Sequence, residues 1–170
     1  MQLKKIIIAA VVFVIAFGVG YGINAAFLTD LAPVQPINFS HKIHAGDNSI
    51  PCMYCHIYVY RSRVSGAPNV QRCLGCHKII KTDSPEIKKL TAYWDKKEPV
   101  PWVKVHNLPD FVYFPHKRHI KAGRQCSDCH GDVPSMERIK RVSSLKMGWC
   151  LKCHKKYEVK NGADCWTCHI

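Results

Sequence analysis

All ten cysteines of this 170-residue chain fall in five copies of one pentapeptide, Cys-x-x-Cys-His. The copies open at Cys52, Cys73, Cys126, Cys150 and Cys165 and carry second cysteines Cys55, Cys76, Cys129, Cys153 and Cys168. Each closes on a histidine: His56, His77, His130, His154 and His169. That spacing is the attachment signature of c-type haem. The two thiols add across the porphyrin vinyl groups, and the adjacent imidazole becomes the proximal iron ligand. Five copies with no cysteine left over lead us to expect five covalently bound haem c groups.

The histidine count has the same arithmetic. Ten are present, and the five outside the motifs are His41, His44, His106, His116 and His119. Five irons with one proximal histidine each need five more ligands to become six-coordinate. The expectation is therefore bis-histidine iron, with these five as the distal set. His106 has no H-x-x-H partner and enters the set on the iron count alone. Its rival is a methionine sulfur, which would raise the reduction potential of that haem. Met147, three residues before Cys150, is the best placed, and Met136 is next.

Two other uses of the cysteines explain less. Tetrahedral zinc would take motifs in pairs, whereas five is odd, and it would leave most histidines without a task. A disulfide framework does not account for a histidine after every second cysteine, and a ring closed over two residues is typical of redox motifs.

The formal charge of +13 would ordinarily suggest a polyanionic partner. Five haems, however, bring about ten propionate charges, leaving roughly +3 with ferrous iron and about +8 with ferric. Much of the Lys and Arg is thus expected to face propionates. No basic run interleaved with aromatics is present, and nucleic acid is not an expected partner.

A short basic start, Lys4-Lys5, precedes an apolar stretch of 23 residues from Ile6 to Leu28, interrupted by Asn24. About 20 such residues span a bilayer as a helix. A cleaved signal peptide fits less well, because no clean A-x-A site surrounds Asn24-Ala25-Ala26. The expected topology is one pass through the lipid bilayer of a bacterial cell membrane. Lys4 and Lys5 then stay cytoplasmic, and the haem domain lies on the periplasmic side. Gly18 and Gly22, four apart, either allow close helix–helix approach or reflect the ordinary glycine content of membrane helices.

Motif starts lie 21, 53, 24 and 15 residues apart, and a repeat organises them. Phe39-Ser40-His41-Lys42-Ile43-His44 with Ala45-Gly46 leads into the first motif, and Phe114-Pro115-His116-Lys117-Arg118-His119 with Ala122-Gly123 leads into the third. Two imidazoles three positions apart cannot both join a motif histidine on one iron, but they can serve two neighbouring haems. The expected divisions are an anchor at 1–30, a first di-haem module at 31–80, a linker with a short helix at 81–110, a second di-haem module at 111–156, and a fifth haem motif at 157–170. In the linker, Ser84-Pro85-Glu86 opens a helix whose Ile87, Leu90 and Trp94 form an apolar face, with Pro99 closing it. The run Phe111–Phe114 is expected to be extended. With about 28 residues per haem outside the anchor, the protein cannot build an ordinary core around each one. The fold class that follows is a multihaem cytochrome c with short α-helices, little other regular structure and a haem-packed core, plus the N-terminal transmembrane helix.

The F-x-H-x-x-H element before C-x-x-C-H resembles the cytochrome c3 and c7 superfamily, where the two histidines go to different haems. The resemblance implies that His41 ligates the haem of Cys52 and Cys55, and His116 that of Cys126 and Cys129. His44 and His119 then cross to other haems.

A wider resemblance covers nearly the whole chain. The N-terminal helix, P-I-x-F-S-H-K-I-H-A-G before the first motif, V-H-N-L-P-D-F-V-Y-F-x-H-x-x-H before the third and K-M-G-W-C at the fourth resemble the pentahaem cytochrome c subunit of bacterial alternative complex III. This implies an electron-carrier subunit of a respiratory or photosynthetic quinol:electron-acceptor oxidoreductase, with quinol oxidised in a partner. The implied partners are an iron–sulfur subunit, multi-pass quinol-binding subunits and a monohaem cytochrome; the final acceptor is a cytochrome, a copper protein or an oxidase. Two alternatives compete with this. A self-sufficient membrane-anchored multihaem quinol dehydrogenase would need a polar pair to deprotonate quinol, and the apolar anchor offers no obvious one. A catalytic multihaem enzyme would need an open iron, and there is enough histidine to close every site. No catalytic residue is expected.

Overall fold

The computed structural model describes residues 2–169, with 27–30 as helix backbone only. Met1 of the expected anchor, the side chains at its end and the terminal Ile170 lie outside the described residues. Helix α1 runs Gln2–Leu31. Its stretch Gln2–Ala26 has mean hydropathy 2.7 in its most apolar window, none of which is buried against the rest of the chain. It is long and apolar enough to cross a membrane. Gly18, Gly20 and Gly22 each face open space, with nothing within 4 Å of an added Cβ.

Beyond α1 the described chain is a set of short helices without strands. They are α2 (Cys52–Cys55), α3 (Val70–His77), α4 (Pro85–Asp95), α5 (His116–Lys121), α6 (Ser127–His130), α7 (Met147–Lys156) and α8 (Cys165–Cys168). A single π-helical turn, Lys42–Asp47, and two 3-10 turns, Ile57–Tyr60 and Val133–Ser135, complete the list. Among the described residues only six apolar side chains are buried: Ile37, Val59, Leu74, Leu90, Val100 and Met136. Four of them, Ile37, Leu74, Leu90 and Val100, form one small cluster that joins α3 to α4. Six buried side chains are far fewer than a domain of this length needs to fold on side chains alone.

Helix α4 starts as its sequence dictates, with Ser84 before Pro85 in the first turn. Glu86 does more than favour the helix dipole there. Its carboxylate accepts from the Asn38 amide at 2.6 Å and the Lys89 ammonium at 2.7 Å, fastening the segment after α1 to α4. Leu90 and Ile87 face the cluster as expected, but Tyr93 rather than Trp94 completes the packing. Trp94 is 41% exposed, and Lys78 lies over its ring. The helix ends at Asp95, ahead of Pro99, where Lys97 turns the chain with φ +57°.

The two halves of the chain interlock. The Lys42 amide donates to the Met136 carbonyl at 2.9 Å, and the Ser40 hydroxyl donates to Glu137 at 2.7 Å. Arg63 donates to the Val112 carbonyl at 2.8 Å, and α5 packs on the turn Ile57–Tyr60. The expected extended run starts one residue late, because Phe111 lies in a turn closed by the Val112 amide on the Pro109 carbonyl at 2.9 Å, and the Tyr113 amide donates to the Cys168 carbonyl at 2.7 Å. One antiparallel bridge, Val112 to His169, pins the fifth motif to the second module. Helix α1 is tied in through the Leu31 carbonyl, which accepts from the Arg141 amide at 2.8 Å.

Gly46 sits where the π-helical turn crosses the 3-10 turn, and a Cβ there would collide with the Pro134 carbonyl oxygen. Gly46→Ala is therefore expected to destabilise the holoprotein by about 1–3 kcal/mol, the usual cost of overpacking. The measurement is a denaturant midpoint that falls at unchanged slope.

Candidate haem sites

Each motif folds as one helical turn. Residues three apart on a helix share a face, so every Cys-x-x-Cys pair presents two thiols to one side with the histidine next in line. The turns are α2, the C-terminal half of α3, α6 with Cys126 as its cap, α7 and α8. None of the ten cysteines is paired with another in a disulfide. Burial raises the pKa of Cys55, Cys73, Cys126, Cys129 and Cys150, and neighbouring thiols add to it.

Those neighbours give the order of the sites in space. Cys73 feels Cys55, so the second motif lies against the first. Cys126 feels Cys52 and hydrogen-bonds with it, so the third also lies against the first. Cys129 feels Cys153 and Cys150, joining the third motif to the fourth. Cys150 feels Cys168, joining the fourth to the fifth. The row runs second, first, third, fourth, fifth.

The ten histidines share one environment: all are partly buried. In six of them Nδ1 faces a backbone carbonyl. His56 donates to Gly66 at 2.7 Å, His77 to Ile80 at 3.0 Å and His154 to Gly162 at 2.6 Å. Among the candidate distal residues, His44 donates to Ser40 at 2.8 Å, His116 to Arg63 at 3.2 Å and His119 to Pro115 at 3.2 Å. A carbonyl on Nδ1 fixes the proton there and leaves the Nε2 lone pair for a metal. His41 differs, with a buried Nδ1 that has no hydrogen-bond partner. Burial, with His56 and His44 nearby, lowers its pKa to about 4. His106 is lowered to about 4 by burial and by His130. Both are neutral imidazoles at neutral pH.

Phe39 and Phe114 are the wedges of the repeat. Phe39 stacks on His44 at 4.3 Å and meets His41 edge-on at 4.9 Å. Phe114 lies on His119 at 4.4 Å and meets His116 edge-on at 4.9 Å. One phenyl ring thus holds two imidazoles apart and turns them to different sites. The repeat is geometric as well as sequential, although its first copy forms a π-turn and its second an α-helix.

Three histidine pairs then face each other across a similar gap. Ring centroids are 6.0 Å apart for His44 and His77, 6.4 Å for His116 and His130, and 6.1 Å for His119 and His154. A metal–imidazole bond is about 2 Å, and a ring nitrogen lies about 1 Å from its centroid, so an iron between two imidazoles needs about 6 Å. His41 lies near His56, as His116 and His130 also do. His106 lies elsewhere: its ring meets His130 edge-on at 4.4 Å, with Nε2 at 3.3 Å from the His130 Nδ1. The ring recorded against His169 is that of Phe111, at 5.7 Å. Met136 is buried, and Met147 is exposed at the start of α7.

Haem fits this donor set. The cysteines are not paired with one another, six Nδ1 protons are held by carbonyls, and three pairs of imidazoles are spaced for iron. Comparison with known proteins agrees. Residues 24–110 match the class III cytochrome c family, just over half of the chain. The chain belongs to the class III cytochrome c family. Residues 112–170 match a second model, cytochrome c7 and related cytochrome c. This class III cytochrome is also 28% identical over 160 residues to a protein of Nitratidesulfovibrio vulgaris named menaquinone reductase, multiheme cytochrome c subunit. The alignment covers 79% of this chain and 76% of that one. Membership brings covalently bound haem c and electron transfer as the activity.

The carbonyls that hold Nδ1 carried no side-chain signal and were not legible in the sequence; the F-x-H-x-x-H phenylalanines were. Phe114→Ala is expected to cost about 3 kcal/mol, the low end for a phenylalanine that is only partly buried, and Phe114→Leu much less. Thermal melts followed at the Soret band check this, with haem content unchanged in both variants.

Proposed function

We propose that this cytochrome is a pentahaem electron carrier, anchored by α1 in a bacterial cell membrane, that serves a quinone-linked oxidoreductase complex. The observation that carries it is the continuous row of five attachment motifs, each against the next. Haem c, when bound, supplies an iron that takes up and releases one electron.

The chain's own residues do the rest. Cys52/Cys55, Cys73/Cys76, Cys126/Cys129, Cys150/Cys153 and Cys165/Cys168 fix five porphyrins by thioethers, with His56, His77, His130, His154 and His169 as proximal ligands. The paired rings support His44 as partner of His77, His116 of His130 and His119 of His154, and the F-x-H-x-x-H resemblance assigns His41 to His56. Each H-x-x-H element then ties two neighbouring sites together through one phenylalanine. Closed irons favour electron transfer over substrate activation, because the sixth position decides between them. The ends of the row are the second and fifth motifs, and electrons pass between them through the first, third and fourth. The modules read as 31–80 and 111–156, with 81–110 as the packed linker and 157–170 as the added fifth site.

The membrane complex is supported by α1, by the resemblance to the pentahaem subunit of alternative complex III and by the named relative. That relative's name speaks of menaquinone reduction, whereas the alternative complex III resemblance implies quinol oxidation. A row of carriers serves either direction, which the potentials of its partners set. The partners we propose are an iron–sulfur subunit, multi-pass quinone-binding subunits and a monohaem cytochrome. With Lys4 and Lys5 cytoplasmic, the haem domain lies on the outer face.

The test is detergent extraction of native membranes, purification on this chain and mass spectrometry of what stays bound. We expect iron–sulfur and multi-pass subunits to copurify. A chain that emerges alone and oxidises a menaquinol analogue would instead identify a self-sufficient quinol dehydrogenase.

A further inference from the structure

We propose that the cleft between the 3-10 turn Val133–Ser135 and residues 137–142 binds the headgroup of a membrane phospholipid, with Arg138 and Lys140 on its phosphate. This rests on α1 lying in a membrane, as proposed above.

The depth of the cleft follows from α1. The helix continues from Ala26, where its apolar stretch ends, to Leu31. That extension rises about 7.5 Å at 1.5 Å per residue, and the headgroup layer on one side of a bilayer is about 5–7 Å thick. The Leu31 carbonyl therefore lies at headgroup level, where it accepts from the Arg141 amide at 2.8 Å. Arg141 stands between Lys140 and Val142, and both of these line the cleft. A direct contact, not a tether, thus holds the cleft at the membrane surface.

Its walls are set by the protein alone. The cleft encloses about 400 Å³. The Ser135 hydroxyl donates to the Asp132 carbonyl at 2.8 Å, which fixes the turn. A methyl of Val142 lies 3.0 Å from where a Cβ on Gly131 would stand, and the Ser143 hydroxyl donates to the Cys129 carbonyl at 2.6 Å. The far wall is therefore pinned to the third motif, and a headgroup held there ties the middle of the row to the bilayer surface.

The charges suit a phosphate diester. Asp132, Glu137, Arg138 and Lys140 are the charged side chains of the lining. Glu137 is already engaged, by the Lys42 ammonium at 3.3 Å and the Ser40 hydroxyl at 2.7 Å. Arg138 and Lys140 are exposed, and among the described residues neither enters an ion pair. Two cations thus face one remaining carboxylate. Asp132 accepts a hydrogen bond from a headgroup that carries O–H or N–H, as phosphatidylglycerol and phosphatidylethanolamine do. The trimethylammonium of phosphatidylcholine has no such donor.

The test uses the full-length holoprotein in a neutral detergent, titrated with phosphatidylglycerol, phosphatidylcholine or inorganic phosphate, with bound lipid counted by native mass spectrometry. One phosphatidylglycerol per chain should be retained at concentrations where phosphatidylcholine is not. Arg138→Gln with Lys140→Gln should weaken it about thirtyfold, the usual worth of two basic residues at an anionic lipid surface. Lys88→Gln with Lys96→Gln removes the same charge from α4 and should leave binding unchanged. Equal retention of the two lipids, or a cleft variant that binds as the wild type does, overturns the site alone. Inorganic phosphate that displaces phosphatidylglycerol at equal concentration makes this an anion site and overturns the lipid assignment. Loss of a haem from the cleft variant, counted by pyridine haemochrome, would show that the cleft holds a porphyrin propionate instead. Carbonate extraction of native membranes tests the underlying reading, because a chain released to the supernatant overturns the membrane anchor and the site together.

Discussion

Everything in this cytochrome depends on one contact repeated around the chain, the hydrogen bond that occupies Nδ1 of a half-buried histidine. A free imidazole can present either nitrogen and rotate about two bonds. A carbonyl at 2.6–3.2 Å from Nδ1 removes both freedoms and makes Nε2 a stronger donor. The acceptors come from whatever backbone is nearest: a carbonyl four residues back for His44 and His119, a loop eight or ten residues on for His154 and His56. For His116 the acceptor is Arg63, in the other half of the chain. The ligand sphere and the tertiary fold are therefore one structure.

That economy explains why so little side-chain core is needed. Six buried apolar residues could not hold a domain of this length against its conformational entropy. Covalently attached haem c takes that role, as staples and metals do in small scaffolds. The polypeptide is a wrapping that spaces the sites, and its tight places are where two strips of wrapping cross, such as Gly46 over Pro134. The one conventional cluster, around Leu74 and Leu90, lies where α3 meets the linker helix α4.

Much of this was legible from residue types. The five motifs, the repeat around Phe39 and Phe114, the apolar helix α1 and the start of α4 follow from spacing and from Pro85 in the first turn, although Ser84 makes no side-chain cap. Long-range placement was not legible. His106 enters the distal set on the iron count alone, and a count holds no information about which ring it stands beside, which is His130. Its placement depends on the linker folding back against α6. Trp94 was read onto the apolar face by helical periodicity, yet that face is narrow and Tyr93 fills it. The order of the sites came from the pairing of thiols across the two halves, which no local signal encodes.

The central claim, that five haems rather than side chains form the interior, is tested most directly by the intact mass of the chain purified from cells that mature c-type cytochromes. The account predicts the polypeptide plus five haem c groups, with each Cys-x-x-Cys pair modified at both sulfurs in peptide maps. A mass with fewer haems, or with any motif found as free thiols or as a disulfide in the folded protein, would contradict it.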